Sequence, residues 1–236
     1  MLLARLPDGS PEVFATVQGE GTSAGVPSVF VRLAECNLRC GFCDTKYTWD
    51  WANHDKTKET IEIAEGDVVD RVLAIAEKAK TVVFTGGEPL LQQDELATVA
   101  QALRARGFRV EVETNGTIAP VPSFAELVDQ WNVSPKLASS GNGLKARHRP
   151  NALAWFGERK NAFFKLVILS DEDLREVDEL VAGLSLPADR VILMPEGTDP
   201  TTLAERSRWL VDRCKERGHR LGARLHVHIW GAERGR

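Results

Sequence analysis

The 236-residue sequence predicts an α/β fold: a partial, open parallel β/α barrel of about six units. Three observations carry that expectation. After residue 26, short apolar, β-branched runs alternate with helical patterns of 12 to 18 residues, the order that lays helices over a parallel sheet. Some six such units are too few to close an eightfold barrel. Thiols, glycines and carboxylates also follow the ends of the apolar runs, and in parallel α/β folds that edge is where sites are built.

The first predicted strand is PSVFVRLAE (27–35), and a cysteine-bearing loop follows it directly. GDVVDRVLAIAEKAK (66–80) repeats apolar residues at Val69, Val72, Leu73 and Ala76, the 3.6-residue period of an amphipathic helix. TVVFTGG (81–87) reads as a buried strand ending in glycines, and 91–107 as a helix stopped by Gly107. FRVEVETNG (108–116) is a strand with a polar end, 124–130 a helix and 131–136 strand-like. The alternation resumes with strand 163–169, helix 171–183, strand 190–194 and helix 200–217. ARLHVHIW (223–230) is expected as a last strand. Residues 46–65 and 137–162 lack periodicity and are expected as long loops or short helices, which in compact domains are often functional. The length suits one domain, with 1–26 as an N-terminal segment, 27–222 as the partial barrel and 223–236 as a final strand and tail.

With 34 acidic and 30 basic residues intermixed, the net charge of −4 gives no reason to expect a nucleic-acid groove or a polybasic membrane surface. The opening MLLARLPDGSPEVF lacks the apolar core of a signal peptide, and no run approaches the roughly 18–20 apolar residues of a membrane span. A soluble, cytoplasmic protein is expected, and there clustered cysteines read as metal or redox ligands before disulfides.

AECNLRCGFCDTKYTW places Cys36, Cys40 and Cys43 within eight residues, and the one other cysteine, Cys214, lies far downstream in a helical pattern. A structural zinc takes four protein ligands, with its cysteine pairs usually separated. Iron–sulfur clusters are held by thiolates, and three thiolates on a cubane leave one iron open, the mark of a catalytic rather than a structural site.

C-x3-C-x2-C after the first strand of a parallel α/β chain resembles the radical S-adenosylmethionine (SAM) superfamily. The resemblance implies a [4Fe–4S] cluster on Cys36, Cys40 and Cys43 whose open iron chelates SAM, with one electron releasing a 5′-deoxyadenosyl radical. TGGEP (85–89) is similar to the element that holds the methionine part of SAM: Gly86 and Gly87 permit close approach, and Glu88 offers an acceptor to the ammonium. Phe42, Asp44, Ser134, Pro135, Lys136 and the run Met194, Pro195, Glu196, Gly197 complete the implied cofactor site.

FATVQGEGTSAGVPSVFVRLAECNLRC, with CDTKYTW, TGGEPLLQ, ETNGT and SPKLASSGN, resembles the 7-carboxy-7-deazaguanine synthase family over roughly residues 12 to 230. The resemblance implies 6-carboxy-5,6,7,8-tetrahydropterin as substrate, ring contraction with loss of ammonia, and a deazapurine (queuosine-type) pathway. It implies substrate contacts from Val17, Gln18, Gly19, Arg32 and Thr85, the guanidinium serving as a bidentate carboxylate clamp. Glu20, Glu113 and His226 are the implied catalytic groups, and Thr45 an implied ligand of Mg²⁺, which prefers hard oxygens. His226 and His228 would share one side of a strand. Family members resemble homodimers, and a flavodoxin or ferredoxin is the expected electron donor. An activating enzyme that places a glycyl radical on a protein partner is the alternative reading. This chain has the compact cysteine spacing where some relatives carry an insertion, and GAERGR continues past Trp230 where some relatives end.

Overall fold

The computed structural model describes residues 1–231 and 233–236. Its strands are β1 (Leu2–Ala4), β2 (Val13–Val17), β3 (Pro27–Leu33), β4 (Thr60–Glu62), β5 (Thr81–Gly86), β6 (Arg109–Thr114), β7 (Gln130–Val133), β8 (Ala162–Ile168), β9 (Val191–Pro195) and β10 (Arg220–Leu221). The helices are α1 (Lys56–Glu59), α2 (Glu65–Ile75), α3 (Gln93–Arg104), α4 (Pro122–Ala125), α5 (Leu144–Arg147), α6 (Pro150–Gly157), α7 (Asp171–Leu184), α8 (Pro200–Arg217) and α9 (Leu225–Trp230). One sheet runs β10-β9-β8-β7-β6-β5-β3-β1-β4, with β2 also on β3. Every pairing from β3 through β10 along this order is parallel, while β1, β2 and β4 pair antiparallel. The ends never meet, so the barrel is open, as the unit count predicts.

The apolar core lies between the sheet and its covering helices. Val110 and Val112 of β6 point into it, buried with Leu96, Val99 and Leu103 of α3. Each such fully buried side chain contributes about 1.5–3 kcal/mol. In α2 the buried stripe is Val68, Val69 and Val72, whereas Leu73, predicted inside, is 37% exposed. Helix α8 matches its predicted bounds because its signals are local: Asp199 accepts from the Thr202 amide at 2.9 Å, Pro200 opens the helix, and Gly218 closes it at φ +69°.

The inner face differs from the unbroken apolar strands expected. Alternation along β6, β7 and β8 turns Glu111, Glu113, Gln130, Asn132 and Lys165 away from the helix-packed core, where they bond one another and the N-terminal segment. Glu111 is fully buried and bonded by Ser23, Arg109, Gln130 and Asn132, forming a polar plug beneath the site.

The predicted last strand at 223–230 is a correction. The position beside β9 is taken by Arg220–Leu221, and the Gly222 amide then bonds Leu193 at 2.7 Å. Residues 225–230 turn into α9, docked by the Leu225 amide on the Gly19 carbonyl at 2.8 Å. His226 and His228 therefore point roughly 160° apart rather than to one side. No helix among the described residues is long and apolar enough to cross a membrane.

Candidate active site

The C-terminal ends of β3, β5, β6, β7, β8 and β9 surround one pocket, closed on the remaining side by residues 14–20, α9 and Arg236. Of the residues singled out from sequence, all but Glu88, Pro135 and Gly197 line it.

The cysteine loop occupies one wall. Each sulfur receives an N–H from the chain itself: Leu38 amide to Cys36 at 3.5 Å, Asn142 Nδ2 to Cys40 at 3.3 Å, Trp49 Nε1 to Cys43 at 3.3 Å. Burial pushes the Cys36 thiol up to about 11 and raises Cys40 as well, so these two bare thiols hold their protons until a metal displaces them. Among the described residues, no three His, Cys, Asp or Glu side chains are grouped to hold a metal ion. Three thiols apart, each with its own N–H donor, fit a cluster that offers one iron to each sulfur. Cys214, predicted as a helix residue, is buried in α8.

Gly86 and Gly87 are needed for a reason other than ligand approach. A Cβ on Gly86 would land on the backbone of Leu33, and one on Gly87 on the carbonyl of Glu35. The Gly87 and Glu88 amides bond those carbonyls at 3.0 and 2.8 Å, so the turn after β5 is seated directly on the start of the cysteine loop. The Glu88 carboxylate, expected as an acceptor for a ligand ammonium, is fully buried. It is bonded by Thr114 Oγ1 at 2.8 Å and the amides of Asn115 and Leu90 at 2.7 and 3.0 Å. It ties β5 to β6 instead. Pro135 is buried behind the wall, and the Gly197 carbonyl is taken by Arg224 at 2.6 Å.

The same pocket holds a charged cluster, tied to the cysteine loop by Arg224 Nη2 on Asp44 Oδ2 at 2.5 Å. Lys165 Nζ donates to Glu20 Oε2 at 2.5 Å and Glu113 Oε2 at 2.7 Å, and Arg224 Nε donates to Glu20 Oε1 at 3.0 Å. Burial alone would raise the Glu20 carboxyl, but Lys165 and Arg224 outweigh it and hold it well below the usual carboxylate range. Burial prevails at Glu113, which is raised despite Lys165. The two carboxylates thus separate in character: Glu20 is a standing anion, Glu113 a group able to keep a proton. Gln18 bridges them, its Nε2 on Glu113 at 3.2 Å and its Oε1 accepting from the Glu20 amide at 3.2 Å. His226, whose Nε2 is 3.9 Å from Glu20, is lowered by burial and stays neutral near pH 7, while His228 is exposed.

Arg32 engages Glu12 through Nε at 2.5 Å, and among the described residues neither terminal nitrogen bonds a protein group. Glu12 is fully buried and also accepts from Tyr47 Oη at 3.0 Å and Arg234 Nε at 2.9 Å. Arg234 reaches Glu59 as well, at 2.9 Å, so the tail after Trp230 folds back and leaves Arg236 at the pocket mouth.

Lys165 and Arg224 were not singled out from sequence. Lys165 carried a usable signal, a lone cation inside the apolar run AFFKLVI; Arg224 carried none, since it lay in a segment misread as strand.

Gly19 packs so closely that a Cβ there would fall on the His226 ring. Gly19→Ala is expected to displace the imidazole and raise KM about tenfold with little change in Tm, the equivalent of one weakened hydrogen bond. Steady-state kinetics beside a melting curve check this.

Residues 32–150 match the Radical SAM superfamily. The chain is 40% identical over 226 residues to 7-carboxy-7-deazaguanine synthase of Pyrobaculum aerophilum, covering 95% of this chain and 96% of that one. It is 38% identical over 243 residues to the protein of the same name from Halobacterium salinarum, covering 93% and 89%. Among solved structures it superposes on QueE from Escherichia coli with a TM-score of 0.67 and 28% identity, covering 96% of this chain and 95% of that chain.

Proposed function

The chain belongs to the 7-carboxy-7-deazaguanine synthase family of the radical SAM superfamily, and from that premise we propose how its pocket works and which residues carry each part. The enzyme is a radical SAM lyase of deazapurine biosynthesis, converting 6-carboxy-5,6,7,8-tetrahydropterin to 7-carboxy-7-deazaguanine with release of ammonia. Its relatives carry the name of the synthase, which favours this reading over a glycyl-radical activating enzyme.

Cys36, Cys40 and Cys43 would hold the [4Fe–4S] cluster, which with SAM supplies the radical that starts the reaction. Gly86, Gly87, Ser134, Lys136 and the Met194–Glu196 run form the wall for SAM, with Lys136 Nζ fixed on Ser134 Oγ at 2.8 Å. The terminal nitrogens of Arg32 clamp the pterin carboxylate, and Glu12 on Nε fixes the plane of the fork. Glu20, a standing anion, accepts from the amino-pyrimidinone edge, with Val17, Gln18 and Gly19 presenting backbone and amide groups beside it. Glu113 keeps a proton that it can give to the departing amine, and neutral His226 orients the ring or relays a proton. Thr45 would supply one hard oxygen to a Mg²⁺ ion, which would stabilise negative charge developing on the substrate. We place the enzyme in the cytoplasm as a homodimer.

The observation that carries this reading is the Glu20–Lys165–Glu113 cluster sharing one pocket with the cysteine loop and Arg32. The reconstituted enzyme, given SAM and dithionite without oxygen, is expected to form 5′-deoxyadenosine and 7-carboxy-7-deazaguanine only with carboxytetrahydropterin, and Cys40→Ala to form neither. Deoxyadenosine without the deazaguanine would redirect the search to a protein substrate. In chelated, metal-free buffer the rate is expected to fall at least tenfold; an unchanged rate removes Mg²⁺ from Thr45.

A further inference from the structure

We propose that Arg234, in the tail after α9, is a positioning residue that keeps the Arg32 fork free for a ligand carboxylate and so sets the preference for a carboxylated pterin. The proposal rests on the reading of Arg32 given above and deepens it by assigning what holds that fork open.

Arginine and carboxylate pair best fork to fork, two nitrogens on two oxygens. Arg32 and Glu12 do not. Arg32 meets Glu12 Oε1 through Nε alone, at 2.5 Å, although it stands on the pocket wall beside a fully buried carboxylate with a second oxygen to offer. The reason lies on the far side of Glu12. Its Oε1 also accepts from Tyr47 Oη at 3.0 Å, and its Oε2 accepts from Arg234 Nε at 2.9 Å. A second guanidinium is kept off Oε2 by the charge and bulk of the first. The Arg32 terminal nitrogens are thereby left for a ligand.

Arg234 is itself committed on every side. Its Nη1 donates to Glu59 Oε2 at 2.9 Å and its Nη2 to the Arg5 carbonyl, and its guanidinium carbon lies 3.5 Å from the centre of the Tyr47 ring. It does not line the pocket, so it reaches a ligand only through Glu12 and Arg32. The charges are matched in the same arrangement. Arg32 and Arg234 face Glu12 and Glu59, two cations against two anions. With Arg234 gone, one cation would face both carboxylates. Arg32 would then be drawn onto both oxygens of Glu12, whose buried charge needs a partner, and the site would turn net negative toward an incoming carboxylate. A tail residue that never touches the substrate thus decides whether its carboxyl group is recognised.

The test is anaerobic calorimetry on the reconstituted enzyme without reductant, so that nothing turns over, with two ligands: carboxytetrahydropterin, and tetrahydropterin lacking the carboxyl group. The wild type is expected to prefer the carboxylated ligand by at least about tenfold, the worth of a charge-assisted pair. Arg234→Met should lose most of that preference while binding tetrahydropterin as the wild type does. Arg234→Lys keeps the charge, and with it the fold, but one ammonium cannot hold Glu12, Glu59 and the Arg5 carbonyl together; it should lose part of the preference. Glu12→Gln/Arg234→Met leaves neither an unpaired buried charge nor a carboxylate to draw Arg32 inward, and should regain the preference that Arg234→Met loses. Equal weakening of both ligands in the single variants would make Arg234 a structural brace and overturn the proposal. Wild-type preference in Arg234→Lys and Arg234→Met, or no recovery in the double variant, would overturn it as well. A wild type that binds both pterins alike would instead sink the carboxylate clamp at Arg32, and the proposal with it.

Discussion

Replacing Lys165 by methionine is expected to abolish measurable turnover and to destabilise the fold by about 3–5 kcal/mol, the scale of removing one partner from a buried ion pair. Lys165 is the cation between two inward carboxylates, at 2.5 Å from Glu20 and 2.7 Å from Glu113. Methionine matches its length and leaves the stem packing intact, so the loss reports charge rather than volume. With the ammonium gone, Arg224 still partners Glu20, but Glu113 keeps only the amide of Gln18. The pH dependence gives a sign that a packing defect would not. In the wild type, Glu20 is depressed from 4.5, so its contribution is present above that value and is lost as pH falls through the folded value. In the variant Glu113, already raised by burial, loses the cation that opposed the rise, so the folded state binds more protons there than the unfolded one and stability falls as pH rises. Denaturant midpoints between pH 5 and 7 should therefore close the gap to wild type at the acid end. Glu113→Gln added to Lys165→Met should recover part of the stability and none of the activity. A gap independent of pH would mean the pair is not ionised as described.

Gly87→Ala is expected to cost at least about 3 kcal/mol and to prevent iron loading, because relief requires moving backbone rather than a side chain. The added Cβ would fall on the Glu35 carbonyl, and Glu35 itself sits at φ +72°, already a strained position for a non-glycine residue. Separating the two loops would break the Glu88 amide bond to that carbonyl and displace the start of the cysteine loop. Gly41→Ala is the control: its Cβ would meet nothing closer than Ser140 O at 3.9 Å. Iron per chain after reconstitution and the denaturant midpoint decide the matter. An alanine variant that loads iron normally would show that the seating of the turn on the loop is not needed.

The parallel frame was legible because its signals are local: apolar runs of strand length, helix periods, and caps such as Asp199 and Gly218. So was the rim, since loops after parallel strands converge whatever their sequence. What escaped depended on contacts far apart in the chain. Strand β2 exists because the alternating VFATV finds β3, and nothing inside five residues announces the pairing. The histidines of 223–230 alternate like a strand, and only the prior occupation of the sheet edge by Arg220–Leu221 makes them helical. Glu88 shows the limit at single residues. An acidic residue beside glycines reads as a ligand contact, yet Glu88 is used up by three donors of its own chain.

The contacts that finish the pocket join the two ends of the chain, with Glu20 meeting Arg224 across 204 residues and Glu12 meeting Arg234 across 222. During synthesis the carboxylates emerge first. At about 5–20 residues per second, Glu20 waits on the order of 10–40 s for its arginine. The cysteine loop and the turn at Gly87 are complete well before then. A nascent chain can therefore present every sulfur ligand while its substrate clamp is still missing the Arg234 that braces Glu12. Synthesis of the segment that carries Arg224 and Arg234, not assembly of the thiol loop, is the step that completes the braces on Glu20 and Glu12.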